Sequence, residues 1–311
     1  MKQLAQLTLT TLITTGFVSV GLSQVLVNDT WQDGTRTDPA SPTYSEYGVD
    51  ADLDGDLESV WYRGGTGTLD PVTTGGPLQG DLTANGTGSG SWTTYFAPAN
   101  TALTLANVGD QLLVTWKFSL QNVGAENSSQ NFRIALVDTP EAARLLADGS
   151  PGSSTYAGYG MLNNMGVTLG RTTPFRIVER TDPLTSSALL SSTGSWVTGS
   201  DDAAVVGDPG YADNTPYTFL MSLTRTVSGI DVAASMTGGN LGGDGDLSTL
   251  YSDATPSTYS YDTFSLRPSS AVGTAQIWDT TLFKVELIVP EPTTFALLGL
   301  GGLAFLLRRR S

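Results

Sequence analysis

The chain has 311 residues, a net charge of −15, no Cys and no His, and only 14% of its residues are charged. An acidic chain repels phosphate backbones, which excludes nucleic-acid binding. Without Cys there is neither a disulfide nor a thiolate metal site, and without His there is no Ser–His–Asp triad, no His-ligated zinc and no imidazole base.

Residues 1–23 read as a secretory signal peptide. Lys2 is a lone basic group, Leu4 to Leu22 is uncharged, and the small residues Gly21 and Ser23 precede Gln24. Thr8, Thr10, Thr11, Thr14 and Thr15 suit a core helix poorly. A leader helix removed after Ser23 is therefore expected.

Residues 24–288 form the body, and its dominant period is two. Leu112, Val114, Trp116, Phe118 and Leu120 make one inward row. Phe132, Ile134 and Leu136 make a second, Tyr217, Phe219, Met221 and Leu223 a third, and Ile277, Thr281, Phe283, Val285 and Leu287 a last one. Shorter strands are expected at Leu57–Tyr62, Trp92–Phe96, Phe175–Glu179, Ser195–Thr198, Ile230–Met236 and Thr263–Arg267. The Gly- and Thr-rich stretch 64–90 reads as a long loop, and one short helix is expected at Thr139–Leu146, with Pro140 near its start. About a dozen strands are too many for one open sheet to be covered well, which predicts an all-β jelly-roll, two antiparallel sheets stacked as a sandwich. The segment from Asn28 through Trp31 to Asp38 resembles the first strand of concanavalin A-like lectin/glucanase sandwiches. That resemblance implies that the last strand, Trp278–Leu287, lies beside the first.

The densest acidic run is Asp50, Asp52, Asp54, Asp56 and Glu58, with Gly55 among them. Alternating carboxylates around a Gly are what calcium requires, hard oxygen ligands on a turning backbone. The run resembles the front half of an EF-hand loop, although Trp61 stands at the twelfth position, where the bidentate Glu belongs. A solvated acidic turn is the competing reading. Gly242 to Asp246 is similar to a calcium-binding nonapeptide but occurs once and reads as a hairpin loop. Asp29 and Asp279, on the expected first and last strands, are a further calcium pair by analogy. Tyr251, Tyr259 and Tyr261 fall in a loop-like stretch, where exposed rings could stack on sugars.

Retaining glucanases of the resembled fold carry Glu-x-Asp-x-x-Glu on one strand, and this chain has none. A base near Tyr156, Tyr159, Arg171 and Arg176 would be the remaining route to an atypical, His-free lyase or glycosidase.

Residues 289–311 have three parts. Pro290, Glu291 and Pro292 make a stiff extended start, Phe295 to Leu307 is an uncharged apolar run, and Arg308, Arg309 and Arg310 precede Ser311. The run is shorter than the roughly 20 residues that cross a bilayer comfortably, and the arginines obey the positive-inside rule. This order resembles the PEP-CTERM sorting signal of Gram-negative bacteria. The resemblance implies a short transmembrane helix, an exosortase-like membrane protease as partner besides the export machinery, and association with exopolysaccharide and biofilm. The expected protein is exported, non-catalytic and held at the cell surface or in the extracellular matrix, with polysaccharide as a candidate ligand. A carbohydrate-active enzyme and a calcium-dependent adhesin are the alternatives.

Overall fold

Two neighbouring strands show how the sequence period becomes a sheet. β7 (Gln111–Val123) and β12 (Tyr217–Arg225) pair antiparallel with Trp116 opposite Phe219 and Val114 opposite Met221, so both inward rows fall on one face. The computed structural model describes residues 22–83, 88–180, 188–191, 193–270 and 272–290. The expected signal helix and the apolar run Phe295 to Leu307 lie outside these residues. Among the described residues no helix is long and apolar enough to cross a membrane.

Strands are numbered in chain order. The larger sheet runs β14 (Asp246–Asp253), β13 (Ile230–Thr237), β12, β7, β17 (Ala275–Val289), β4 (Leu78–Asp81) and β3 (Thr68–Pro71), with β1 (Leu22–Asp29) also paired to β17. The smaller runs β11 (Trp196–Asp202), β10 (Phe175–Arg180), β9 (Ala157–Asn163), β8 (Phe132–Asp138), β16 (Thr263–Pro268), β5 (Gly90–Tyr95) and β2 (Trp61–Gly65). A short ribbon joins β6 (Leu103–Thr104) to β15 (Ser260–Tyr261). The fold is an antiparallel two-sheet β-sandwich, and the first strand does lie beside the last. Ser23–Ile288 form one compact unit.

Aromatic side chains from the two sheets interlock between them. Trp92 of β5 meets Trp278 of β17 at 5.9 Å, and Trp61 of β2 meets Phe283 of β17 at 5.1 Å, both edge-on. Each such buried ring contributes about 1.5–3 kcal/mol. Gly80 on β4 leaves room for Trp92, because a Cβ there would stand 2.2 Å from its ring. Gly80→Ala is expected to destabilise the protein by about 1–3 kcal/mol through overpacking. A fall in the urea midpoint at constant m would show it, and an unchanged midpoint would refute it.

Four expectations change. On β17 a bulge between Thr280 and Leu282 breaks the alternation, so Trp278 and Thr280 are buried while Ile277 is half-buried and Thr281 is exposed. The helix at Thr139–Leu146 is one 3₁₀ turn, Glu141–Ala143. Arg144 leaves it with extended backbone, and its guanidinium enters the protein to donate to Ala97 O (2.9 Å), Pro98 O (3.0 Å) and Asp262 Oδ2 (2.8 Å). The loop 64–90 contains the hairpin β3–β4, whose runs TLDP and LQGD are too short and too polar to register as strands. The first strand keeps only Asn28 and Asp29 of the stretch Asn28 to Asp38. The chain then turns, with Trp31 in the left-handed region and its N–H donating to Asp29 Oδ1.

The outer face of the smaller sheet is covered. Tyr156, Leu189, Leu190 and Trp196 pack on its Ala135, Val137, Leu162 and Val178. Farther along, Tyr44, Val60, Tyr62 and Tyr95 form a second cap, with the Arg144 guanidinium 5.2 Å from the rings of Tyr44 and Tyr95.

Candidate metal centre

The segment 30–60, between β1 and β2, is closed by carboxylates at its two ends. Asp29, buried at the end of β1, accepts from Trp31 N (3.1 Å) and Ser59 N (3.4 Å). Asp56 Oδ2 accepts from Thr30 N (2.7 Å) and Thr30 Oγ1 (3.0 Å). Four non-glycine residues here, Trp31, Tyr44, Tyr47 and Leu53, have left-handed backbone. Such conformations cost about 1–3 kcal/mol each and persist only where surroundings enforce them.

Closing this loop drives Glu58 into the protein among carboxylates. Glu58 is 2% exposed, and its carboxyl joins no hydrogen bond or ion pair among the described residues. Burial, followed by the charges of Asp33, Asp29, Asp54 and Asp56, pushes its pKa up to about 10. Burial likewise raises Asp29 well above the usual carboxylate range. Two further oxygens, Asp54 Oδ2 and Asp56 Oδ1, are buried without a partner. A buried charge costs several kcal/mol unless something compensates it, and the charges that act most strongly on Glu58 are themselves carboxylates.

A divalent cation would compensate it. Oxygens of Asp54, Asp56 and Glu58 lie within 4.8 Å of one another, and so do oxygens of Asp33, Asp38 and Glu58. Two oxygens each about 2.4 Å from one calcium ion can be at most about 4.8 Å apart, so either triad can share an ion. An all-oxygen set suits calcium rather than zinc or copper. Glu58 belongs to both triads and is the hub.

The five expected ligands therefore separate. Asp54, Asp56 and Glu58 converge, whereas Asp50 and Asp52 join Glu46 in another triad. Those groups cap their own turn: Asp50 Oδ1 accepts from Leu53 N, Asp52 Oδ1 from Asp54 N, and Glu46 from Ala51 N and Glu58 N. Asp33 and Asp38 were not anticipated. Their one sequence signal is that three aspartates, Asp29, Asp33 and Asp38, recur within ten residues upstream. Trp61, at the twelfth position, is core. Asp279 does not join Asp29: its carboxylate accepts from Gln79 Nε2 (2.8 Å) and Gln121 Nε2 (2.9 Å) within the sheet. Gly242 to Gly245 belong to the β13–β14 hairpin connection, and Asp246 opens β14 opposite Thr237.

Two of the three tyrosines flank Tyr159, which is 6.5 Å from both Tyr251 and Tyr261. Tyr261 is fully buried and has no face for a sugar. Tyr259 and Tyr251 are partly exposed; Arg225 covers the first at 4.0 Å, and the second lies against Gly199. Of the remaining groups, Tyr156 is buried, Arg176 pairs with Asp201, and Arg171 donates to Ser128 O. Pro290 is the last described residue of the tail; Glu291, Pro292, Arg308, Arg309 and Arg310 lie outside.

Fold and site together define an all-β antiparallel two-sheet sandwich with an acidic, oxygen-only cluster in its first loop. The family model of the PEP-CTERM protein-sorting motif matches residues 289–310, so the chain carries that motif at its C-terminal end. Among solved structures the chain is similar to peanut lectin with a 9mer peptide, at 11% identity over 86% of this chain and 98% of that one, with a TM-score of 0.42. It is similar to the Emp47p carbohydrate recognition domain at 13% identity (74% and 88% covered, TM-score 0.40). It is also similar to the VIP36 exoplasmic/lumenal domain in its Ca2+/Man-bound form at 11% identity (81% and 88% covered, TM-score 0.38). No curated protein matches the sequence.

Proposed function

We propose that this chain is an exported, non-catalytic β-sandwich protein of the Gram-negative cell surface or extracellular matrix. Residues 1–23 are its leader, 24–288 its working body and 289–311 its sorting signal, handled by an exosortase-like membrane protease. The observation that carries the reading is the PEP-CTERM match at residues 289–310. Pro290, Glu291 and Pro292 are the recognition element, and Arg308, Arg309 and Arg310 hold the basic end on the cytoplasmic side. Cleavage after Ser23 suits the body, since the buried side chains of β1 begin only at Leu26.

Extracellular polysaccharide is the ligand class this reading implies. The absence of Glu-x-Asp-x-x-Glu and of His, together with the capped outer face of the smaller sheet, supports binding over catalysis. A calcium-dependent adhesin is the second reading, favoured by the buried, unpartnered Glu58. Mass analysis of the protein recovered from envelope and medium tests the sorting. The expected product begins at Gln24 and ends upstream of Phe295, and Glu291→Ala leaves the tail attached. A cytosolic product retaining both Met1 and Ser311 would refute it.

A further inference from the structure

On the outer face of the smaller sheet, Arg133 of β8 stands directly opposite Arg267 of β16. Like charges opposed across a ladder repel, and both side chains are half-buried, where water screens them less. Neither forms an ion pair among the described residues. Desolvation lowers the pKa of both, and Arg267 lowers that of Arg133 further. In a chain with twice as many acidic as basic residues, two opposed arginines without a carboxylate are an anomaly.

The two are not equivalent. Arg133 is anchored on carbonyls, with Nε donating to Gln130 O (3.3 Å) and Nη1 to Leu190 O (2.8 Å). Among the described residues Arg267 makes one side-chain hydrogen bond, Nη2 to Ser89 Oγ at 3.2 Å, which uses one of its five N–H donors. It lines a cavity of about 200 Å3 together with Ser89, Ser91, Ser150, Leu189 and Leu190. The hydroxyls of Ser91 and Ser150 have no partner among the described residues. The cavity thus offers a planar cation for a bidentate oxyanion and hydroxyls for a polyol, while Leu189 and Leu190 are buried against the sheet and fix the segment that closes one side.

We propose that this cavity binds a uronic acid residue of an extracellular polysaccharide, the sugar carboxylate docking on Arg267 and its hydroxyls on Ser91 and Ser150. Arg133 acts as a positioning residue by holding Leu190. The assignment deepens the polysaccharide reading given above. It is independent of sorting, so its failure would leave the mature-mass result untouched.

Calorimetric titration of the full-length protein in detergent tests it, with oligogalacturonate, neutral malto-oligosaccharide and sodium acetate as three separate probes. Oligogalacturonate is expected to bind, neutral glycan is not, and acetate binds far more weakly. Arg267→Gln is expected to weaken oligogalacturonate about tenfold or more, and Arg267→Lys by less. Without ligand, Arg267→Gln is expected to melt at or above the parent temperature, because a like-charge contact has gone. Neutral glycan binding as well as the uronate, or unchanged affinity in Arg267→Gln, would overturn the proposal. So would acetate matching the uronate, which would make the cavity a general anion site, or a lowered melting temperature in Arg267→Gln, which would make Arg267 structural.

Discussion

Chelating divalent cations is expected to lower the melting temperature of the protein, and added calcium to restore it. A ligand at one hundred times its dissociation constant stabilises by about 2.7 kcal/mol. At about 2–4 °C per kcal/mol for a body of this size, the expected shift is about 5–10 °C. Glu58 makes the prediction specific. In Glu58→Gln the carboxyl common to both triads is gone, so calcium dependence disappears, while the cation-free variant melts at or above the cation-free parent. A merely structural Glu58 would give the opposite sign. The pH dependence follows from the same residue. Its folded pKa of about 10 exceeds the ordinary 4.5, so without cation the folded state holds the proton more tightly. Stability is then greatest below about 4.5 and declines as pH rises toward 10. Calcium opposes this by displacing the proton, and its binding should release protons, measurable by calorimetry in buffers of different ionisation enthalpy. A melting temperature indifferent to both chelator and calcium would remove the metal centre.

Arg144→Met is expected to cost about 3–5 kcal/mol, the loss that follows when one partner of a buried ion pair is removed. Arg144 and Asp262 are both buried and meet at 2.8 Å. Burial pushes the Asp262 carboxyl up to about 6 even beside this cation, and without it the pKa rises further. The variant should therefore lose stability more steeply than the parent as pH climbs through and beyond 6. Adding Asp262→Leu should recover much of the loss, since it removes the stranded charge. Equilibrium denaturation of the parent, both single variants and the double variant measures the coupling. Near-additive losses would mean that the pair is incidental. The consequence reaches beyond stability, because Arg144 packs on Tyr44 and Tyr95 and ties the loop after β8 to Ala97 and Pro98. That loop contributes to the cover over the smaller sheet, so loosening it would expose the rings of Tyr44, Tyr62 and Tyr95 beneath it.

Several features were legible in the sequence because they are local. Alternation every two residues needs only the pleat of a strand, so the inward rows on β7, β8 and β12 could be read directly. Of the row expected on β17 only Phe283 and Val285 are buried, because the bulge between Thr280 and Leu282 changes which face the earlier residues present. The sorting motif is legible for the same reason, being a linear order of prolines, apolar run and arginines. β9 and β14 escaped notice. On β9, Gly158 and Gly160 break the apolar pattern where the chain passes close to the Leu136 and Ile134 carbonyls. β14 ends the larger sheet as an edge strand with mostly exposed side chains. What the tertiary structure alone decided is which distant groups meet. Nothing local distinguishes Asp50 and Asp52 from Asp54 and Asp56. The closing of the loop onto Thr30 and Ser59 selects the second pair, adds Asp33 and Asp38 from upstream, and buries Glu58 between them. The same holds for Arg144, a helix-compatible residue in isolation, which ends its turn because a buried carboxylate more than a hundred residues away claims its charge.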